Sequence, residues 1–141
     1  MEKVSRGLRN NNPGNIRNSS TVWQGEVTPS KDKSFKQFSS MAYGYRALIK
    51  LLQNYQKLYG LKTVAEMIAR WAPPVENNTA GYISRVCKEM QVPSTHVVNV
   101  SDKATMCAMA AAISLVENGV PAVMEDVHKG WDLLKSKKYE K

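Results

Sequence analysis

Cysteine and histidine are scarce in this chain, two of each, and neither type clusters. With no CxxC pair and no Cys/His group, nothing in the sequence suggests a metal site. Cys87 and Cys107 fall on apolar helical faces, where buried thiols are expected, and nothing supports a disulfide between them. His96 and His128 have no serine, cysteine or aspartate constellation around them, which argues against a triad hydrolase. A P-loop, an HExxH zincin pattern and an EF-hand loop are also missing, so no metal and no cofactor is expected.

Long hydrophobic runs are absent as well. The most apolar stretch falls short of the roughly 20 residues that span a bilayer, and the opening MEKVSRGLRNNNPG has no hydrophobic signal region, so neither a transmembrane segment nor a Sec-type signal is expected. Negative charge is outnumbered, 12 Asp and Glu against 20 Lys and Arg, which gives a net charge of +8 and a pI near 9.6. That balance favours a polyanionic partner such as nucleic acid, an anionic membrane surface or bacterial cell wall. Part of the excess lies in the tail (Lys135, Lys137, Lys138, Lys141). The other basic residues are scattered and no helix-turn-helix or RNA-binding signature stands out, so no specific nucleic-acid partner is expected.

What the chain does have is a composition for one core: 141 residues, 43% hydrophobic and 23% charged, predict a single domain over 1–141. Its organising stretch is Ser101 to Gly119, SDKATMCAMAAAISLVENG. Only Thr105 and Ser114 interrupt the apolar residues from Ala104 to Val116, and a helix without a polar face belongs inside a fold. Ser101 is the expected N-cap, with Asp102 in the first turn and Gly119 as the left-handed stop.

Around this post the reading is mainly α. Residues 5 to 38 lack helical periodicity and contain the turn-forming run Asn10-Asn11-Asn12-Pro13-Gly14-Asn15, followed by short candidate strands at Ile16–Asn18, Thr21–Gln24 and Ser34–Phe38. Ser39 or Ser40 is expected to cap a helix running to Tyr59, with Gly60 ending it. Thr63 and Glu66 form a capping-box pattern that opens a helix to Arg70 or Trp71, broken by Pro73-Pro74. Asn78 or Thr79 starts the next helix, and Pro121 is placed to begin the last.

Local structure accounts for most of the acids, and four remain: Glu26, Asp32, Glu76 and Glu117. Glu117 closes the central helix, where desolvation and the negative end of the helix dipole both act to raise a carboxyl pKa, the behaviour of a general acid; it also fits an ordinary exposed Glu in a last turn. Glu76 also fits a polar group just ahead of a helix start. Glu26 and Asp32 also fit solvated loop acids.

Residue order then carries a resemblance. Arg6-Gly7-Leu8-Arg9-Asn10-Asn11-Asn12-Pro13-Gly14-Asn15-Ile16-Arg17, Trp23-Gln24-Gly25, Asp32, Phe35-Lys36-Gln37-Phe38, Gly44-Tyr45-Arg46-Ala47, Arg70-Trp71-Ala72-Pro73-Pro74, Glu76-Asn77, Tyr82-Ile83 and Glu117-Asn118-Gly119 together resemble a family of small phage and prophage proteins. The likeness covers nearly the whole chain. More distantly, the chain resembles lysozyme-like soluble lytic transglycosylases read as a circular permutation. In those enzymes a helix ending in the catalytic Glu precedes an Asn-Pro segment, a β-region ending near a Gln, and a Glu-Thr-x-x-Tyr-Val type motif. Here Glu117, Asn12-Pro13, Gln37, and Glu76-Asn77 with Thr79 and Tyr82-Ile83 match that order once the C-terminal helices are moved ahead of residue 1. Two positions depart from the pattern: Asn118-Gly119 stands for the usual Glu-Ser, and Gly14 for a Ser.

The resemblance implies an α+β lysozyme-like fold, with helices around the central one and a small N-terminal hairpin region. It further implies a peptidoglycan-cleaving glycosidase, either lytic transglycosylase or muramidase; separately, a monomer is expected. Glu117 would be the catalytic acid/base, and Asn12, Asn15, Gln37, Glu76 and Tyr82 would contact glycan strands. Trp23 or Trp71 would stack on sugars or simply fill the core. Asp32 or Glu26 would be the second carboxylate if the enzyme is a hydrolase. Such a protein is synthesised in the bacterial cytoplasm and acts at the wall after release or delivery, or is carried in a virion. The alternative is a noncatalytic virion or glycan-binding protein.

Overall fold

A computed structural model describes residues 4–75 and 77–135. In order they form α1 (Arg6–Arg9), β1 (Glu26–Val27), β2 (Gln37–Phe38), α2 (Met41–Tyr59), α3 (Val64–Trp71), α4 (Thr79–Met90), α5 (Lys103–Asn118) and α6 (Met124–Lys135). The chain is mainly helical with one two-stranded hairpin near its start, as the sequence predicts. Among the described residues no helix is long and apolar enough to cross a membrane. Both cysteines are free thiols.

Most helix ends sit where local chemistry puts them. Ser40 caps α2 by accepting from the Tyr43 N–H, and Gly60 ends it at φ 66°. The Thr63/Glu66 capping box opens α3 with both of its reciprocal bonds, and Asn78 caps α4. Gly119 ends α5 at φ 74°. At the start of α5 the cap is Asp102, not Ser101: its carboxylate takes both the Thr105 N–H and the Thr105 hydroxyl, at 2.9 and 2.6 Å. The last helix begins at Met124, not Pro121, which brings Glu125 and Asp126 into the first turn where the helix dipole favours acids.

The N-terminal region differs more from expectation. Ser5 caps a four-residue helix, α1, in a segment read as non-helical. Ile16–Asn18 and Ser34–Phe38 do run together, through an Arg17–Phe35 bridge and the Asn18 and Lys36 N–H bonds to Ser34 and Ile16. The strand opposite Gln37–Phe38, however, is Glu26–Val27, in antiparallel register, and not Thr21–Gln24. The segment ahead of Glu26 is consumed by a turn: the Glu26 N–H bonds to the Trp23 carbonyl, the Glu26 carboxylate accepts from the Trp23 N–H, and Gly25 takes φ 80°.

The central helix is as buried as its composition demands. No residue of α5 from 105 to 118 is exposed, and it packs on α4, α6, α2 and α1. Ser114, polar in an apolar run, accepts a 2.9 Å hydrogen bond from the buried Tyr45 hydroxyl, so its burial leaves no unmet hydroxyl. A second, smaller cluster of Ile16, Phe38 and Ala47 lies under the N-terminal region, and Trp71 packs against both clusters. Gly44 lets the two meet: a Cβ there would strike the Asn11 carbonyl and come within 2.6 Å of Pro13 Cδ.

Candidate functional site

Where the C-terminal end of α5 meets the 10–17 loop, the surface opens into a groove of about 430 Å³. Its lining includes Asn15, Arg17 and Phe35 from the N-terminal region, Tyr55 from α2, Trp71 from α3, and Glu117 from the last turn of α5. Glu117 is the one carboxylate among the described lining residues.

Two elements hold that carboxylate. The Asn15 amide donates to Oε1 at 2.8 Å, and the Tyr82 hydroxyl, from the first turns of α4, donates to Oε2 at 2.8 Å. Asn15 takes φ 52°, a left-handed conformation that asparagine tolerates better than most residues, and this aims its side chain across the groove. Burial, and then the neighbouring Glu117 carboxylate, push the Tyr82 phenol well above its ordinary range, so it stays a neutral donor.

The floor beneath is fixed by two other asparagines. Asn12 is fully buried; its amide donates to the carbonyls of Ile16 and Lys36 and accepts from the Ile16 N–H. These bonds shape the loop and leave Asn12 no surface for a ligand. Asn118 ties the same loop to α5: it donates to the Pro13 and Ser114 carbonyls and accepts from the Ser5 hydroxyl at 2.7 Å. Gly7 permits that approach, since a Cβ there would lie 2.5 Å from Asn118 Oδ1.

The structure thus brings together Glu117, Asn15 and Tyr82, with Trp71 in the wall, and separates them from the other candidates. Gln37 lies on β2 with its Oε1 accepting from the Lys31 N–H, and it does not line the groove. Glu76 lies outside the described residues. Trp23 borders a neighbouring hollow.

Both candidate second carboxylates have partners elsewhere. Asp32 makes a forked ion pair with Arg6, at 2.6 and 2.8 Å, and accepts from Asn10, Ser34 and Phe35. The Arg6 bonds, then the Ser34 N–H, hold its carboxyl well below the usual range. Glu26 pairs with Lys36 at 2.9 Å with both side chains buried, 5% and 1% exposed, and the Lys36 ammonium also donates to the Ser19 and Thr21 carbonyls.

Sequence reasoning missed the roles of Asn118, Arg17, Phe35 and Tyr55. Asn118 and Phe35 stand out only as parts of the quoted blocks, Arg17 there and as one of the scattered basic residues considered for phosphate binding, and Tyr55 only as one residue of a helix face. Phe35 carries the guanidinium of Arg17 at 5.1 Å and that of Arg6 at 4.6 Å from its ring centre. Among the described residues no group of His, Cys, Asp and Glu side chains could hold a metal ion. The arrangement can exchange a proton with an oxygen of a bound ligand, from one carboxylate set by two neutral donors between aromatic walls.

No protein-family model matches the chain. It is 33% identical over 135 residues to Protein P5 of Pseudoalteromonas phage PM2, across 94% of this chain and 83% of that protein. The chain belongs to the same bacteriophage protein family as Protein P5 of phage PM2.

Proposed function

We propose that the protein is a phage peptidoglycan-cleaving glycosidase with a circularly permuted lysozyme-like fold and Glu117 as its general acid/base. The observation that carries this reading is the Glu117 carboxylate, pinned by Asn15 and Tyr82 at the edge of a groove with aromatic walls. A glycosidic oxygen leaves poorly until it is protonated, and a carboxylic acid at a sheltered site can deliver that proton. Tyr55, Trp71 and Phe35 offer faces that suit sugar rings, and the net charge of +8 suits an anionic wall.

Between the two glycosidase types, the geometry favours a lytic transglycosylase. A hydrolase needs a second carboxylate across the substrate, and Asp32 and Glu26 are committed to Arg6 and Lys36. In a transglycosylase Glu117 first protonates the oxygen between the sugars. The same carboxylate then takes the proton of the muramyl 6-hydroxyl as that oxygen closes a ring, and no other acid is required.

The test is clearing of a suspension of purified cell wall, with mass spectrometry of the products. Ring-closed muramyl ends are expected from the wild-type protein, and Glu117→Gln is expected to lose activity by about 10²–10⁴-fold while keeping its thermal transition. Undiminished clearing by Glu117→Gln excludes Glu117 as the acid. Wall binding without product points instead to a noncatalytic glycan-binding or virion protein.

A further inference from the structure

The Glu117 groove does not end at Tyr55. Leu51, Tyr55 and Pro73 line it and also line a second hollow of about 850 Å³ that continues towards Trp23, Tyr59 and α3. The two are therefore compartments of one trench. The second carries both charges on one helix, Arg70 and Glu66, one turn apart.

Neither charge neutralises the other. The Arg70 guanidinium lies 3.8 Å from the Tyr59 ring centre and 5.4 Å from that of Tyr55, and it makes no ion pair among the described residues. Stacking fixes the plane of the guanidinium and leaves its N–H edge available, the arrangement that suits a carboxylate. The Lys62 and Thr63 N–H groups hold the Glu66 carboxyl below its ordinary range, so it stays charged at neutral pH. Exposed Leu58 and Tyr59 add apolar surface beside the two charges.

We propose that this second hollow takes the peptide branch of a peptidoglycan strand whose sugars occupy the Glu117 groove. A peptide carboxylate sits on Arg70 and an amino group of the same branch faces Glu66. The inference rests on the glycosidase reading of the groove. Charge decides between occupants: a further neutral sugar has no use for a guanidinium that no described carboxylate engages, and a nucleic-acid phosphate is repelled by Glu66. A branch that carries both signs matches both side chains.

The experiment is calorimetric titration of the wild-type protein with a soluble wall disaccharide bearing its peptide, and with the same disaccharide freed of peptide by an amidase. Neither fragment needs to be cut, so the result does not depend on catalysis. The peptide-bearing fragment is expected to bind about tenfold more tightly, the increment of one charge-assisted contact. Arg70→Gln should remove most of that difference, leaving what Glu66 holds, with peptide-free binding unchanged, and Arg70→Lys should restore part of it. Equal binding of the two fragments by the wild type, binding of neither, or an Arg70→Gln variant that keeps the difference or weakens both fragments alike overturns the proposal. Clearing of cell wall by the wild type remains the separate measure of the glycosidase reading.

Discussion

The Tyr82 hydroxyl reaches Glu117 Oε2 at 2.8 Å across 35 positions of sequence, from a phenol that burial keeps neutral. On the glycosidase reading Tyr82 is a positioning residue, setting the direction of the carboxylate through one neutral bond. Tyr82→Phe removes that bond and keeps the ring. It is expected to lower kcat on cell wall about tenfold with little change in KM, and to cost about 1 kcal/mol of stability in urea unfolding. An unchanged kcat removes Tyr82 from the site's machinery.

The buried Lys36–Glu26 pair gives a test of the second-carboxylate question that does not depend on activity alone. Removing one partner strands the other charge in the interior, so Lys36→Met is expected to destabilise by about 3–5 kcal/mol. The double variant Lys36→Met with Glu26→Leu should regain the part of that loss due to the stranded charge, the Trp23 N–H and the Ser19 and Thr21 carbonyls still lacking their partners, and retain wall clearing. A double variant that is stable yet inactive would instead make Glu26 a participant in the chemistry.

Asp32 ties stability to acid pH. Its folded-state pKa is depressed by Arg6, and then by the Ser34 N–H. Its contribution is therefore complete above the unfolded carboxyl value of about 3.9 and falls away as pH drops below it. Asp32→Asn is expected to be less stable than wild type at pH 7 and to show a shallower decline of Tm below about pH 4. Because Arg6 is half exposed, added salt should narrow the gap between the two proteins at pH 7. Parallel acid limbs in the two proteins would contradict this account.

What could be read from the chain in advance was whatever a few neighbouring residues decide. Ser40, the Thr63/Glu66 box, Asn78, Gly60 and Gly119 end helices through contacts within a turn, so their residue types announce them. Glu117 could be nominated because a helix end places it, and Tyr82 because the resemblance to lytic transglycosylases implies it. The failures share the opposite cause. Four residues of α1 and two-residue strands are too short to show periodicity, and a pairing of Glu26 with Phe38 is set by a turn at Gly25 that composition does not specify. Ser101 and Asp102 are both good caps, and only the geometry of Thr105 chooses between them. Asp32 and Glu26 looked unoccupied because their partners, Arg6 and Lys36, stand 26 and 10 positions away. Asn12 looked like a ligand contact because its type suits one, while its burial depends on Lys36 and Ile16 closing over it.

Asn118 joins the end of α5 to Ser5 and Pro13, 113 and 105 positions away. A contact across so long a loop carries its ordering cost before it returns anything. The two wings of the trench are consequently joined by a clasp, and a change at Asn118 is felt in the N-terminal wing as well as in the helix that carries it.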